Sequence, residues 1–303
     1  MYLHNSKDTF KEIIIQARAE YGYEPEITEK DYYVSMFLKE ITESGIDFVF
    51  KGGTSLSKCY HVINRFSEDI DLAVLKRPSR TQKKNIKQAI KDCASRIGLT
   101  ITNENMTHSG RDFNRYELEY ESIFDDNKIQ PVIYVEVSVA IEPFPIDTQN
   151  VGSYVEKVLS SHDLKDIIKQ YNLQDFAINV QDIKRTAIDK VFALCDYFMQ
   201  RKNKRYSRHI YDIYQIDSII GINTLDKNLI HSVRQERLHN PNCLSAKEDT
   251  NPTDILKKIV ETRYFAEDYS NMTKALLYDE VTYEQAITSI EKIIKSKLFT
   301  PML

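Results

Sequence analysis

The stretch FVFKGGTSLSKCYHVINRFSEDIDLAV, Phe48 to Val74, decides the fold of this chain. An apolar run enters a Gly-Gly turn, a helix-like segment follows, and a second run carries Asp69 and Asp71. Residues two apart share one face of a strand, so the two aspartates point together, with Ile70, Leu72 and Val74 on the other side. Neighbouring carboxylates repel each other unless a cation lies between them. Oxygen ligands at that spacing suit Mg²⁺ (or Mn²⁺), which retains water and also takes substrate phosphates. Gly52 and Gly53 permit close backbone approach to phosphate, and Thr54 and Ser55 add hydroxyls. The same turn also reads as a tight strand–helix connection with a Thr or Ser cap, and the two readings are compatible. Together these are the parts of a metal-dependent site for nucleotide transfer.

Outward from this stretch, the 303 residues have ordinary apolar content, 42%, and only eight glycines and eight prolines, which favours many helices and short loops. The net charge of −4 gives no global nucleic-acid signal. Four scattered cysteines argue against a disulfide framework or a zinc site, and seven histidines show no metal spacing. The polar start MYLHNSKDTF lacks the core of a signal peptide, and no apolar run suits a bilayer. A cytoplasmic protein without membrane contact is expected.

Periodicity predicts helices over 6–19 and 28–44, the second with Thr28 as cap and Gly45 as stop. Strands are expected at 48–50 and 69–75, helices at 56–64 and 81–97, and extended runs at 100–106, 115–120 and 132–141. In the last, Ile133, Val135, Val137, Val139 and Ile141 alternate with Tyr134, Glu136 and Ser138. Strand signals stop near Pro143 and Pro145, and helices are expected thereafter. The expectation is an α+β chain: residues 1–145 form a domain with a mixed sheet flanked by helices, and 146–303 form a helical domain that contributes to the cleft.

Asp69, Asp71 and Glu136 are the expected metal-holding carboxylates, with Glu136 set among β-branched strand residues. Glu117 and Glu119 alternate similarly but lie in a charged run that suits an exposed edge. Lys51 and Lys58 flank the glycine turn and read as solvated. Lys190 lies at the flank of an apolar helix face, where a surface lysine is the generic expectation, and Asp212 could pair with Arg208 one turn away. Residues 184–209 are locally basic, and Lys184, Arg185, Arg201, Lys202, Lys204, Arg205 and Arg208 could hold RNA or merely solvate a helix junction.

The Phe48–Val74 stretch resembles the minimal signature of the DNA polymerase β-type nucleotidyltransferases. The gap from Gly53 to Asp69 is long for that broad group. More closely, the chain resembles the AbiEii/AbiGii toxin family of nucleotidyltransferases. Further blocks carry that likeness: ITEKDYYVSMFLKEI (27–41), DKVFALCDYFMQRKNKRYSRHIYDIYQI (189–216) and the strand around Glu136. The resemblance implies that Lys190 holds the triphosphate of an NTP and that Asp212 orients Lys190 or binds base or ribose. It also implies a toxin with a cognate antitoxin, and tRNA or another RNA as acceptor. Two alternatives stay open: a phosphotransferase moving the γ-phosphate to a protein, and a non-catalytic nucleotide- or protein-binding module.

Overall fold

The apolar run before the glycine turn and the D-x-D run are central, neighbouring strands of a seven-stranded mixed sheet. The structure is a computed structural model that describes residues 1–67, 69–124 and 129–301. The chain divides into two units, one spanning 1–59 with 68–180, the other 60–67 with 181–303.

In the first unit, α1 (Lys7–Tyr21) and α2 (Pro25–Thr42) precede β1 (Phe48–Lys51), α3 (Gly52–Lys58), β2 (Asp69–Val74) and α4 (Arg80–Arg96). Then come β3 (Thr100–Ile101), β4 (Phe113–Glu119), β5 (Val132–Ser138), β6 (Ile146–Val151), α5 (Tyr154–Ser161), α6 (Lys165–Gln170) and β7 (Phe176–Gln181). The strand order is β3-β4-β5-β2-β1-β7-β6. β2 pairs antiparallel with β1 and parallel with β5. One face of β2 and β5 is core: Ile70, Leu72 and Val135 have no solvent exposure. Burying each such side chain contributes about 1.5–3 kcal/mol. That burial fixes the register, because a slip of one residue would turn the aspartates inward.

Several boundaries differ from expectation. Pro25, whose fixed φ suits the first helical turn, starts α2 earlier, and Thr28 is buried inside it, donating its hydroxyl to the Glu24 carbonyl. The expected helix over 56–64 instead runs from Gly52 to Lys58. Beyond it, Arg65 bridges Leu277 and Phe66 N–H donates to the Leu276 carbonyl, so this segment spends its backbone groups in the second unit. Only Thr100–Ile101 of the run 100–106 is strand. β6 and β7 lie beyond Pro145, so the region after it is not wholly helical. The expected break at 145/146 falls within the first unit, and the units part at 180/181.

The second unit holds α7 (Ile183–Met199), α8 (Arg208–Ile220), α9 (Lys227–Arg237), α10 (Pro252–Glu261), the short α11 (Ala266–Asp268) and α12 (Tyr283–Ser296). Asp182, Asp226, Asn251 and Thr282 cap α7, α9, α10 and α12 through side-chain acceptors. Among the described residues no helix is long and apolar enough to cross a membrane.

Candidate active site

Strand register gathers the acidic residues of the first unit. Asp71 lies opposite Glu136 of β5 and Lys51 of β1, and Asp69 lies opposite Tyr134. Paired residues share a sheet face, so Asp69, Asp71, Glu136, Lys51 and Tyr134 all stand away from the core. Arg115 of β4 is in register with Glu136, its Nε 3.9 Å from Glu136 Oε1 and its guanidinium 4.0 Å above the Tyr134 ring. Sequence reading missed Arg115 and Tyr134, and only the pairing of β4 with β5 brings them beside the carboxylates.

The glycine turn meets this face directly. Gly52 has φ +77°, and a Cβ there would lie 1.8 Å from Asp71 Oδ2. A glycine is therefore required twice over, by conformation and by the carboxylate against it. Thr54 and Ser55 are buried, and their hydroxyls donate to the Asp69 and Gly52 carbonyls at 2.5 and 2.9 Å. The Thr54 hydroxyl thus locks the turn to β2 and the Ser55 hydroxyl closes the turn on itself, while the first N–H groups of α3 have no acceptor within the helix. Lys58, expected in solvent, is nearly enclosed and pairs with Asp31 at 2.5 Å. Asp31 also accepts from Tyr154 N–H at 2.8 Å, so the Glu-Lys-Asp-Tyr block ties α3 to the start of α5. Glu29 of the same block accepts from Ile123 N–H and the Ser122 hydroxyl.

In the second unit Lys190 and Asp212 meet, Nζ to Oδ2 at 2.7 Å, and both are buried. The partner of Asp212 on its other side is Arg65, which grips both carboxylate oxygens at 2.7 and 2.9 Å. Burial alone would raise the Asp212 carboxyl, but the adjoining Arg65 and Lys190 charges outweigh it and hold it far below the usual range. Burial lowers the Lys190 ammonium against the pull of Asp212. His209 lies in the same field. Its Nδ1 is buried and has no hydrogen-bond partner among the described residues. Burial, followed by Lys190 and Arg208, holds its pKa well below the ordinary value.

The basic run 184–208 is not one surface. Arg185 is enclosed, with Nε 3.1 Å from Asp189 and Nη2 2.9 Å from Glu236, and is thereby withdrawn from any RNA patch. Arg201, Lys202, Lys204 and Arg205 are exposed, whereas Lys184 and Arg208 are half-buried.

Among the described residues no three His, Cys, Asp or Glu side chains converge into a metal cage. The donor set nevertheless suits a hard cation that keeps water and takes phosphate oxygens, for which one or two carboxylates suffice. Asp71 and Glu136, side by side in register, are such a pair, with Asp69 on the same face.

No curated protein matches the chain. The crystal structure of JHP933 from Helicobacter pylori is similar over 89% of this chain and 91% of that one, at 17% identity and a TM-score of 0.47. The family model described as nucleotidyl transferase AbiEii toxin, type IV toxin–antitoxin system, matches residues 37–291, which include the glycine turn, both aspartates of the D-x-D strand, Glu136, Lys190 and Asp212. This chain belongs to that family and is a nucleotidyl transferase toxin of the AbiEii type.

Proposed function

We propose that the chain moves a nucleoside monophosphate from an NTP to a hydroxyl of an RNA acceptor, with Mg²⁺ held by Asp71, Asp69 and Glu136. Family membership implies a nucleotide substrate and an antitoxin partner. The observation that carries the finer reading is the contact of Gly52 with Asp71. It sets the backbone donors of the turn directly beside a carboxylate, so a phosphate on the turn would abut the metal-binding face.

In this reading the acceptor oxygen forms a bond to the α-phosphorus while the bond from that phosphorus to the bridging β-oxygen breaks. Pyrophosphate leaves, and the acceptor proton passes to Glu136. When bound, Mg²⁺ supplies charge neutralisation at the phosphates. Lys190 adds positive charge for the triphosphate, with Asp212 fixing the ammonium in place. Arg65 keeps Asp212 ionised and anchored. Incubation with each α-³²P-labelled NTP and total bacterial RNA tests the reading. Label should enter an RNA band with wild type and not with Asp69→Asn/Asp71→Asn. Label entering only protein, or a nucleoside diphosphate as product, would overturn it.

A further inference from the structure

Four strands of the first unit set four charged side chains in one row. Lys51 of β1 is in register with Asp71 of β2, Asp71 with Glu136 of β5, and Glu136 with Arg115 of β4. Paired residues share a face, so the row reads cation, carboxylate, carboxylate, cation. The two end cations are not equivalent. Arg115 is engaged, its guanidinium 4.0 Å above the Tyr134 ring and its Nε 3.9 Å from Glu136 Oε1. Among the described residues the Lys51 ammonium makes no hydrogen bond, ion pair or ring contact.

Lys51 is nevertheless not a lysine standing free in water, since it is half-buried. On the same face the next pair along β1 and β2 is Val49 with Ala73, and neither has any solvent exposure. Lys51 and Asp71 therefore stand where the covered part of this face first opens. Lys51 is also the last residue of β1, bonded directly to Gly52, where a Cβ would meet the Asp71 carboxylate. Opposite charges directly across a strand pair ordinarily attract each other into contact. Here the ammonium is not spent on Asp71, so its charge is left for something else at the rim.

We infer that Lys51 holds the β- and γ-phosphates of the NTP and stays with the pyrophosphate as it leaves. The inference deepens the nucleotidyl-transfer reading above and rests on it. In-line displacement puts the attacking and the leaving oxygen on opposite sides of the α-phosphorus. Glu136 takes the acceptor proton in that reading, which places the acceptor on the Glu136 side of Asp71. The leaving group then falls on the other side, where the row ends in Lys51. A lysine suits that place as a compact positive charge for phosphate oxygens. It is carried by the same unit as the carboxylates, so the metal face and a cation for the leaving group come from adjoining strands.

The test is titration calorimetry of the full chain with pyrophosphate in Mg²⁺, with wild type, Lys51→Met, Lys51→Gln and Lys51→Arg. Affinity for Mg²⁺ alone and the thermal midpoint are measured in parallel. Pyrophosphate affinity should fall about tenfold or more in Lys51→Met and Lys51→Gln and return to within about threefold of wild type in Lys51→Arg. Mg²⁺ affinity and thermal midpoint should hold in all three. Pyrophosphate affinity within about twofold of wild type in the Met and Gln variants, or no pyrophosphate binding by wild type, would overturn the inference. A change in Mg²⁺ affinity with pyrophosphate affinity unchanged would make Lys51 a neutraliser of Asp71 and overturn it equally. If wild type still incorporates α-label in that case, the transfer reading survives and Lys51 alone falls. If the variants lose pyrophosphate while wild type incorporates no label, Lys51 stands as a phosphate ligand and the transfer reading falls.

Discussion

The α-carbon of Gly52 rests against the carboxylate of Asp71, so closely that a methyl group there would lie 1.8 Å from Oδ2. Gly52→Ala therefore has two effects: strain at φ +77° and displacement of the carboxylate oxygen proposed to bind metal. The expected outcome is a loss of about 1–3 kcal/mol in stability and a fall in transfer of about 100-fold. Gly22 separates the two effects. It has φ +72° with nothing within 4 Å of its would-be Cβ, so Gly22→Ala should lose stability and keep the turnover of its folded fraction. Melting curves and initial rates on both variants check this. Equal activity losses would deny the contact its role.

Removing members of the Asp212 cluster should cost stability in a fixed order. Asp212→Asn removes the carboxylate that two buried cations share and should cost about 3–5 kcal/mol. Arg65→Met leaves the Lys190–Asp212 pair at 2.7 Å and should cost less. Lys190→Met leaves Arg65 gripping both oxygens of Asp212, so it should be the mildest for folding while weakening NTP binding. Urea titrations give the order, and nucleotide titration shows whether Lys190 acts on the ligand.

His209 supplies a pH dependence. Its folded pKa is held well below the ordinary value, first by burial and then by Lys190, Arg208 and Arg65, with Asp212 opposing. Below about pH 6.5 the unfolded chain therefore binds the proton that the folded chain refuses, and stability falls with pH by up to about 1.4 kcal/mol per unit. His209→Gln should flatten the curve of stability against pH below that point, relative to wild type. An unchanged slope would mean that His209 titrates normally in the fold.

How much of this was legible in the sequence depended on range. The period-two alternation of β5 and the D-x-D of β2 are local signals, and both strands formed, Asp69–Val74 close to its expected range and Val132–Ser138 stopping short of the expected end at 141. β6 was not legible because IDTQNV has polar residues on both faces. β7 carries only Ile178 and Val180 as buried apolar positions, too short a signal to tell a strand from a helix turn. Lys190 and Asp212 were singled out through family likeness, since helical position alone gave the lysine to solvent. Their third partner had no signal at all: Arg65 is 147 residues from Asp212, and its segment reads as the tail of a helix. Arg185 looked like surface charge although Asp189 stands one turn on in the same helix, because its second acid, Glu236, becomes a neighbour only when α7 packs on α9.

The most direct test of the central claim is a stoichiometric one. Pyrophosphate release and α-label incorporation into RNA would be followed in the same reaction, with wild type and Asp71→Asn. The account predicts one pyrophosphate per nucleotide added with wild type, and neither product with Asp71→Asn at unchanged folding. Incorporation by Asp71→Asn at the wild-type rate, or nucleoside diphosphate in place of pyrophosphate, would contradict it.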